Sequence, residues 1–151
     1  SGAGAPNFVV WASKGPRSLD GNLDRIQIIK SWVGSDGEPV DHVYDVVWSG
    51  DRKPDAKGKL PAVGNTVDLK TATFSNSIGA VELKGAWTDP DFNAGQNAVY
   101  YVRVIQIPTP RWSTYDAVRA NLPLQDGVAS TVQERAWSSP IWYESKAGGS
   151  Q

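Results

Sequence analysis

Residues 98–112 read AVYYVRVIQIPTPRW, and this stretch decides the fold. Its even positions carry Ala98, Tyr100, Val102 and Val104, while its odd positions carry Val99, Tyr101, Ile105 and Ile107. Arg103 and Gln106 are the polar interruptions. β-Branched and aromatic residues at this density specify a strand, and a strand that is apolar on both faces must be covered on both. Pro108 and Pro110 then end the strand and stiffen the loop that follows, because each ring fixes φ and removes a ladder donor. One face belongs to a sandwich core. The other is expected to lie under the segment Thr109 to Glu134 folding back, or under a neighbouring domain.

Six further segments share the two-residue period and β-forming composition: 8–13, 24–33, 42–48, 66–74, 81–87 and 136–143. Turn-forming clusters separate them, among them Ser35-Asp36-Gly37, Asp51 to Gly58, and Asp89-Pro90-Asp91. No stretch keeps a 3.6-residue period for ten residues; Thr114 to Asn121 comes nearest, with a turn or two of helix. Parallel sheets need helical crossovers that are lacking here. The expected architecture is therefore all-β, an immunoglobulin- or fibronectin-like antiparallel sandwich of about seven strands with a long loop between the last two. Residues 1–22 form an N-terminal extension with the first strand, 23–143 the sandwich domain, and 144–151 a loose tail. Tyr100, early in the penultimate strand, is a candidate tyrosine corner, whose hydroxyl would bond back to the backbone.

Composition narrows the function classes. The 151 residues suffice for one domain that buries roughly two-thirds of its unfolded surface. Fifteen basic residues against sixteen acidic ones leave a net charge of -1, too little basic field for a dedicated nucleic-acid binder. No apolar run has the length of a membrane span. There is no cysteine, hence no disulfide and no thiolate metal site. The absence of methionine, the Ser-Gly-Ala-Gly-Ala-Pro opening and the Lys-Ala-Gly-Gly-Ser-Gln close suggest a piece of a longer chain.

Catalytic chemistry finds little support. His42 is the sole histidine, and one imidazole without cysteine makes a zinc centre only if three carboxylates converge on it. Asp89-Pro90-Asp91-Phe92-Asn93-Ala94-Gly95 imitates the start of a calcium loop, but its glycine is one position late and Tyr100 stands where a bidentate glutamate belongs. A nucleophile elbow and a phosphate-cradling glycine loop are both missing. Asp45, inside an apolar strand, is the most interesting carboxylate, expected to be partly buried and hydrogen-bonded to a basic partner. The segment is thus expected to be no enzyme in its own right and to need no cofactor or metal. Binding is the livelier class: Arg111, Trp112 and Tyr115 follow the prolines, Tyr101 and Ile105 occupy the second apolar face, and Trp11 and Trp142 are further aromatic candidates.

Several blocks in fixed order resemble a bacterial family. They are LDRIQIIKSWV (23–33), VYDVVWSGDRKPD (43–55), GNTVDL (64–69), WTDPDF (87–92), YYVRV (100–104), IPTPRW (107–112) and RAWSSPIWY (135–143). Together they are similar to the C-terminal region of domain-of-unknown-function family 3604. Members of that family are long, often exported or periplasmic, and carry an upstream part resembling PHP-type metal-dependent hydrolases. The resemblance implies an accessory C-terminal domain that packs on and supports that upstream domain. The Pro-Thr-Pro-Arg-Trp loop would then be the docking element, and no catalytic residue lies in the present segment. The alternative is a glycan or small-ligand binding module that uses exposed aromatics.

Overall fold

The computed structural model describes residues 4–17 and 20–145. Nine strands and one helix follow in order: β1 (Asn7–Ser13), β2 (Leu23–Val33), β3 (Pro39–Trp48), β4 (Glu82–Thr88), β5 (Ala98–Gln106), β6 (Thr109–Pro110), α1 (Trp112–Arg119), β7 (Thr131–Val132), β8 (Arg135–Trp137) and β9 (Ile141–Tyr143). All pairings are antiparallel. The large sheet runs β3-β2-β5, with β8 and β9 both on the far side of β5. Among the described residues a second sheet contains β1 and β4 alone, and β6 pairs with β7 in a short ribbon. This is the expected all-β antiparallel sandwich. In immunoglobulin lettering the large sheet has the order C′-C-F-G and the small sheet supplies B and E.

The core lies between the two sheets. Phe8, Val10 and Ala12 of β1 and Leu83 and Trp87 of β4 meet Ile26, Ile28, Val102, Val104, Ala98 and Tyr100 of the large sheet. The two-residue period of each strand puts these residues inward. Phe8 lies 5.0 Å from the Tyr100 ring and 5.9 Å from Trp87 between centroids, within the range where aromatic pairs attract.

Two expected strands differ. Residues 66–74 form no strand: Asp68 and Thr73 close a tight turn through reciprocal backbone bonds of 2.8 and 3.2 Å. The Asp68 carboxylate accepts the Lys70 N–H at 2.8 Å, and Ala72 takes φ +50°. Local aspartate turn chemistry overrides the β-branched pattern. The last segment is divided by Ser138-Ser139-Pro140 into β8 and β9, since a proline cannot donate to the ladder.

The long excursion after β5 is short ribbon and helix. Pro110 and Arg111 lead into α1, and Thr114 fixes its first turn by donating its hydroxyl to the Ser130 carbonyl at 2.7 Å. Asn121, at φ +54°, ends it with bonds from Leu122 N–H to Ala117 and from Asn121 N–H to Val118, a Schellman closure. This excursion meets only the end of β5; Ile105 is buried there, and Ile107 just beyond lies beside Gly79 and Asn22. Gln133 secures the cap by donating to the Gln106 carbonyl at 2.8 Å and to Asp24 at 2.9 Å. The middle of the second face stays open.

Candidate functional site

That open face can be read from the register, because directly opposed residues share a face. One row across the sheet is Asp45–Gln27–Arg103–Trp137. The next is Val43–Ile29–Tyr101, and the third Asp41–Ser31–Val99–Trp142. Trp137 is 60% exposed and Trp142 73%, whereas Ile29 beneath the centre is buried. Trp142 also walls a shallow apolar hollow with Val99, Val33 and Pro39. The face therefore presents two indole platforms, four residues apart along β5 and so about 13 Å from each other, with Tyr101 between them.

The first row is a hydrogen-bonded polar ladder. Arg103 Nε donates to Gln27 Oε1 at 2.8 Å, and Gln27 Nε2 donates to Asp45 Oδ1 at 2.7 Å. Arg25 Nε stands 3.1 Å from the same Asp45 oxygen without a hydrogen bond, so Asp45 has a basic neighbour, as expected, but takes its hydrogen bond from the neutral Gln27. Arg25 also pairs with the fully buried Asp24, which receives Arg52 at 2.7 Å and Gln133 at 2.9 Å. Arg52 spends its remaining donors on the Ser49 and Pro61 carbonyls at 3.0 and 2.9 Å. Asp24 and Arg52 thereby tie β2 to the loop after β3.

A second polar cluster lies inside the sandwich. Lys30 Nζ sits 2.7 Å from Asp89 Oδ2, with both side chains buried, and donates to the Asp91 carbonyl at 2.7 Å. Tyr100 donates its hydroxyl to Asp89 Oδ2 at 2.7 Å. Its partner is therefore a side chain eleven residues upstream, where a tyrosine corner would bond the backbone. Burial pushes the Asp89 carboxyl up, but the bonds from Lys30, Tyr100 and the Asp91 N–H outweigh it and hold the group below its ordinary value. Burial, then the bond to Asp89, raises the Tyr100 phenol. Tyr44 is likewise raised by burial and by its bond to Asp91 at 2.7 Å. His42 stacks on Tyr44 at 4.2 Å and lies 4.0 Å from Asp91, on the exposed rim. The Asp89–Asp91 turn is thus a capped, sheet-anchored turn. Among the described residues no group of three or more His, Asp and Glu could hold a metal ion, and no helix is long and apolar enough to cross a membrane.

The sequence candidates fall in separate places. Tyr101 is half-buried on the open face, and Ile105 is buried under the capped end of β5. Arg111 precedes α1, its N–H on the Ser130 carbonyl at 2.9 Å and its side-chain Nε enclosed without a partner. Trp112 is 69% exposed and shares a shallow hollow on α1 with Tyr115 and Arg119. Trp11 stands out on the small sheet. The structure brings Trp112 and Tyr115 together on α1, apart from Tyr101, Ile105 and Trp11, and it places Trp142 and Trp137 on one face of the large sheet. Trp137 escaped sequence reasoning because residues 137 and 142 would face opposite ways on one continuous strand. The break at 138–140 shifts the parity by one and puts both on one face. Ser138-Ser139-Pro140 was the signal available.

No curated protein and no solved structure matches the chain. The family described as "Protein of unknown function (DUF3604)" matches residues 1–145, nearly the whole of the chain, and the chain belongs to that family.

Proposed function

We propose that the chain is a non-catalytic interaction domain, and that the open face of the large sheet packs on the upstream part implied by the family resemblance. The observation that carries this reading is Trp137 and Trp142, 60% and 73% exposed on the same face as Tyr101 and Val99. Indoles gain most when desolvated at an interface centre, and the Arg103–Gln27–Asp45 ladder beside them supplies directional bonds at its margin. The acidic and basic groups near the face are engaged with one another, which suits a surface that positions a partner. Trp112 and Tyr115 on α1 offer a smaller, separate contact.

Replacing Trp137 and Trp142 together by alanine, in the isolated domain and in the longer protein that this reading requires, tests it. The isolated domain should keep its stability within about 1 kcal/mol, since exposed side chains contribute little to folding. The longer protein should lose several degrees of melting temperature and part of its activity. Unchanged melting and activity of the longer protein would refute the reading.

A second reading, a glycan-binding module, is favoured by one feature: a planar hydrogen-bonding row ends at an indole. Stacking rings beside Arg, Gln and Asp side chains suit sugar rings and hydroxyls. Intrinsic fluorescence titrated with polysaccharide fragments separates the two readings. A saturable response lost in Trp137→Ala supports the glycan module, and a flat response across a broad panel removes it.

A further inference from the structure

The small sheet has an edge whose chemistry specifies a partner. Lys14 N–H bonds to the Val81 carbonyl at 2.9 Å and Asp89 N–H to the Pro6 carbonyl at 3.2 Å, at the two ends of the β1–β4 ladder. Bonded pairs recur at every second residue of an antiparallel ladder. Pro6, Phe8, Val10, Ala12 and Lys14 therefore aim their backbone at β4. Asn7, Val9, Trp11 and Ser13 aim N–H and C=O the other way, and no bond to these groups is found among the described residues. Val9 is 84% exposed and Trp11 72%. In the immunoglobulin arrangement another strand, A, occupies this flank of B. Here a cleft lined by Ser13, Val104 and Ala136 opens in its place.

Exposed edges are ordinarily guarded by charge, proline or a bulge. The other long edge, β3, carries Asp41 and Asp45 and a bulge opposite Ile26/Gln27. β4 carries Glu82 and Lys84, and Pro140 interrupts β8 and β9. β1, NFVVWAS, carries no charge, proline or bulge between Pro6 and Lys14 at the ends of its ladder.

We propose that this edge pairs with β1 of a second copy, antiparallel about a two-fold axis at Val10, giving one continuous β4–β1–β1–β4 sheet. The sequence is self-complementary in that register. The outward-bonding residues match as Val9 with Trp11 and Asn7 with Ser13; the inward-facing ones match as Phe8 with Ala12 and Val10 with Val10. Aromatic–β-branched and large–small pairs are the favourable cross-strand combinations. The register also uses every outward N–H and C=O of β1, as an isologous interface requires.

Sedimentation velocity across a wide concentration range tests the proposal, with Val9→Pro and Val9→Lys beside the native protein. The Val9 N–H faces away from β4, so proline there leaves the intramolecular ladder intact while blocking an incoming strand. Lysine places a charge beside the partner's Trp11 without altering the backbone. The native protein should shift from monomer to dimer with concentration, and both variants should dissociate at least about tenfold more readily. Their unfolding in dilute solution should match that of the native protein. The Val9 and Trp11 amides should be protected from hydrogen exchange only in the dimer. A native protein that is monomeric throughout would overturn the proposal. So would a dimer that both variants preserve, or protection of these amides in the monomer, which would mean that another segment of the same chain fills the edge.

Discussion

Replacing Lys30 by methionine should unfold the sandwich far more readily than any surface change, and in a pH-dependent way. Lys30 and Asp89 are 3% and 0% exposed and stand 2.7 Å apart. Methionine fills a similar volume but leaves the Asp89 carboxylate with only the Tyr100 hydroxyl and the Asp91 N–H, at 2.7 and 2.9 Å. Breaking a buried pair by removing one partner costs about 3–5 kcal/mol, a large fraction of a domain's total stability. The Asp91 carbonyl loses its donor as well, so the 89–95 turn that closes the sandwich should loosen. The sign of the pH effect follows from Asp89. In the native protein its folded pKa is depressed, so the pair stabilises above the unfolded carboxylate pKa of about 4 and is lost as pH falls through the folded value. In the variant only the Tyr100 and Asp91 bonds still oppose burial, so the pKa moves up from its native value and protonation relieves the fold on acidification. Urea denaturation at neutral pH and near pH 4 measures both. The gap between native and variant should be about 3–5 kcal/mol at neutral pH and should narrow at the lower pH. The double variant Lys30→Met, Asp89→Asn should be more stable than Lys30→Met alone. A loss below about 1 kcal/mol, or a gap that stays constant with pH, would refute the reasoning.

Arg52→Met removes bonds to Asp24, Ser49 and Pro61 and leaves Asp24, fully buried, with less compensation; urea unfolding should show a loss of about 3 kcal/mol. Gly79→Ala should cost about 2–4 kcal/mol by thermal unfolding, because Gly79 has φ +77° and an added Cβ would meet Ile107 at 2.6 Å and Asn22 at 2.7 Å. Raised phenol groups at Tyr44 and Tyr100 stabilise the fold below the ordinary tyrosine pKa of about 10 and lose that contribution above it. The melting temperature should therefore fall as pH rises beyond about 10, and Tyr100→Phe should shrink that fall.

The strands of the sandwich were legible because their burial is set by a two-residue period that residues such as Ile26, Ile28 and Tyr100 carry openly. The segment 66–74 misled because β-branched composition is a weaker force than an aspartate side chain bonding its own turn. The exposed face was half legible. A strand apolar on both faces announced that something beyond the core was needed, and only its end, at Ile105 and Ile107, is buried on that side. Which aromatics share the remaining face depends on a one-residue offset at Ser138–Pro140, and such an offset is fixed by pairing rather than by pattern. The Asp24–Arg52 and Lys30–Asp89 pairs were invisible because their partners are 28 and 59 residues apart, and no local period links them.

The central claim is that the open face of the large sheet is built to be covered. Hydroxyl-radical footprinting read by mass spectrometry addresses it directly, comparing the 151-residue chain alone with the same chain joined to the upstream part that the proposal requires. Trp137 and Trp142 should oxidise readily in the isolated chain and be protected together in the longer protein, with Tyr101 following them. Equal oxidation of Trp137 and Trp142 in both would contradict the account.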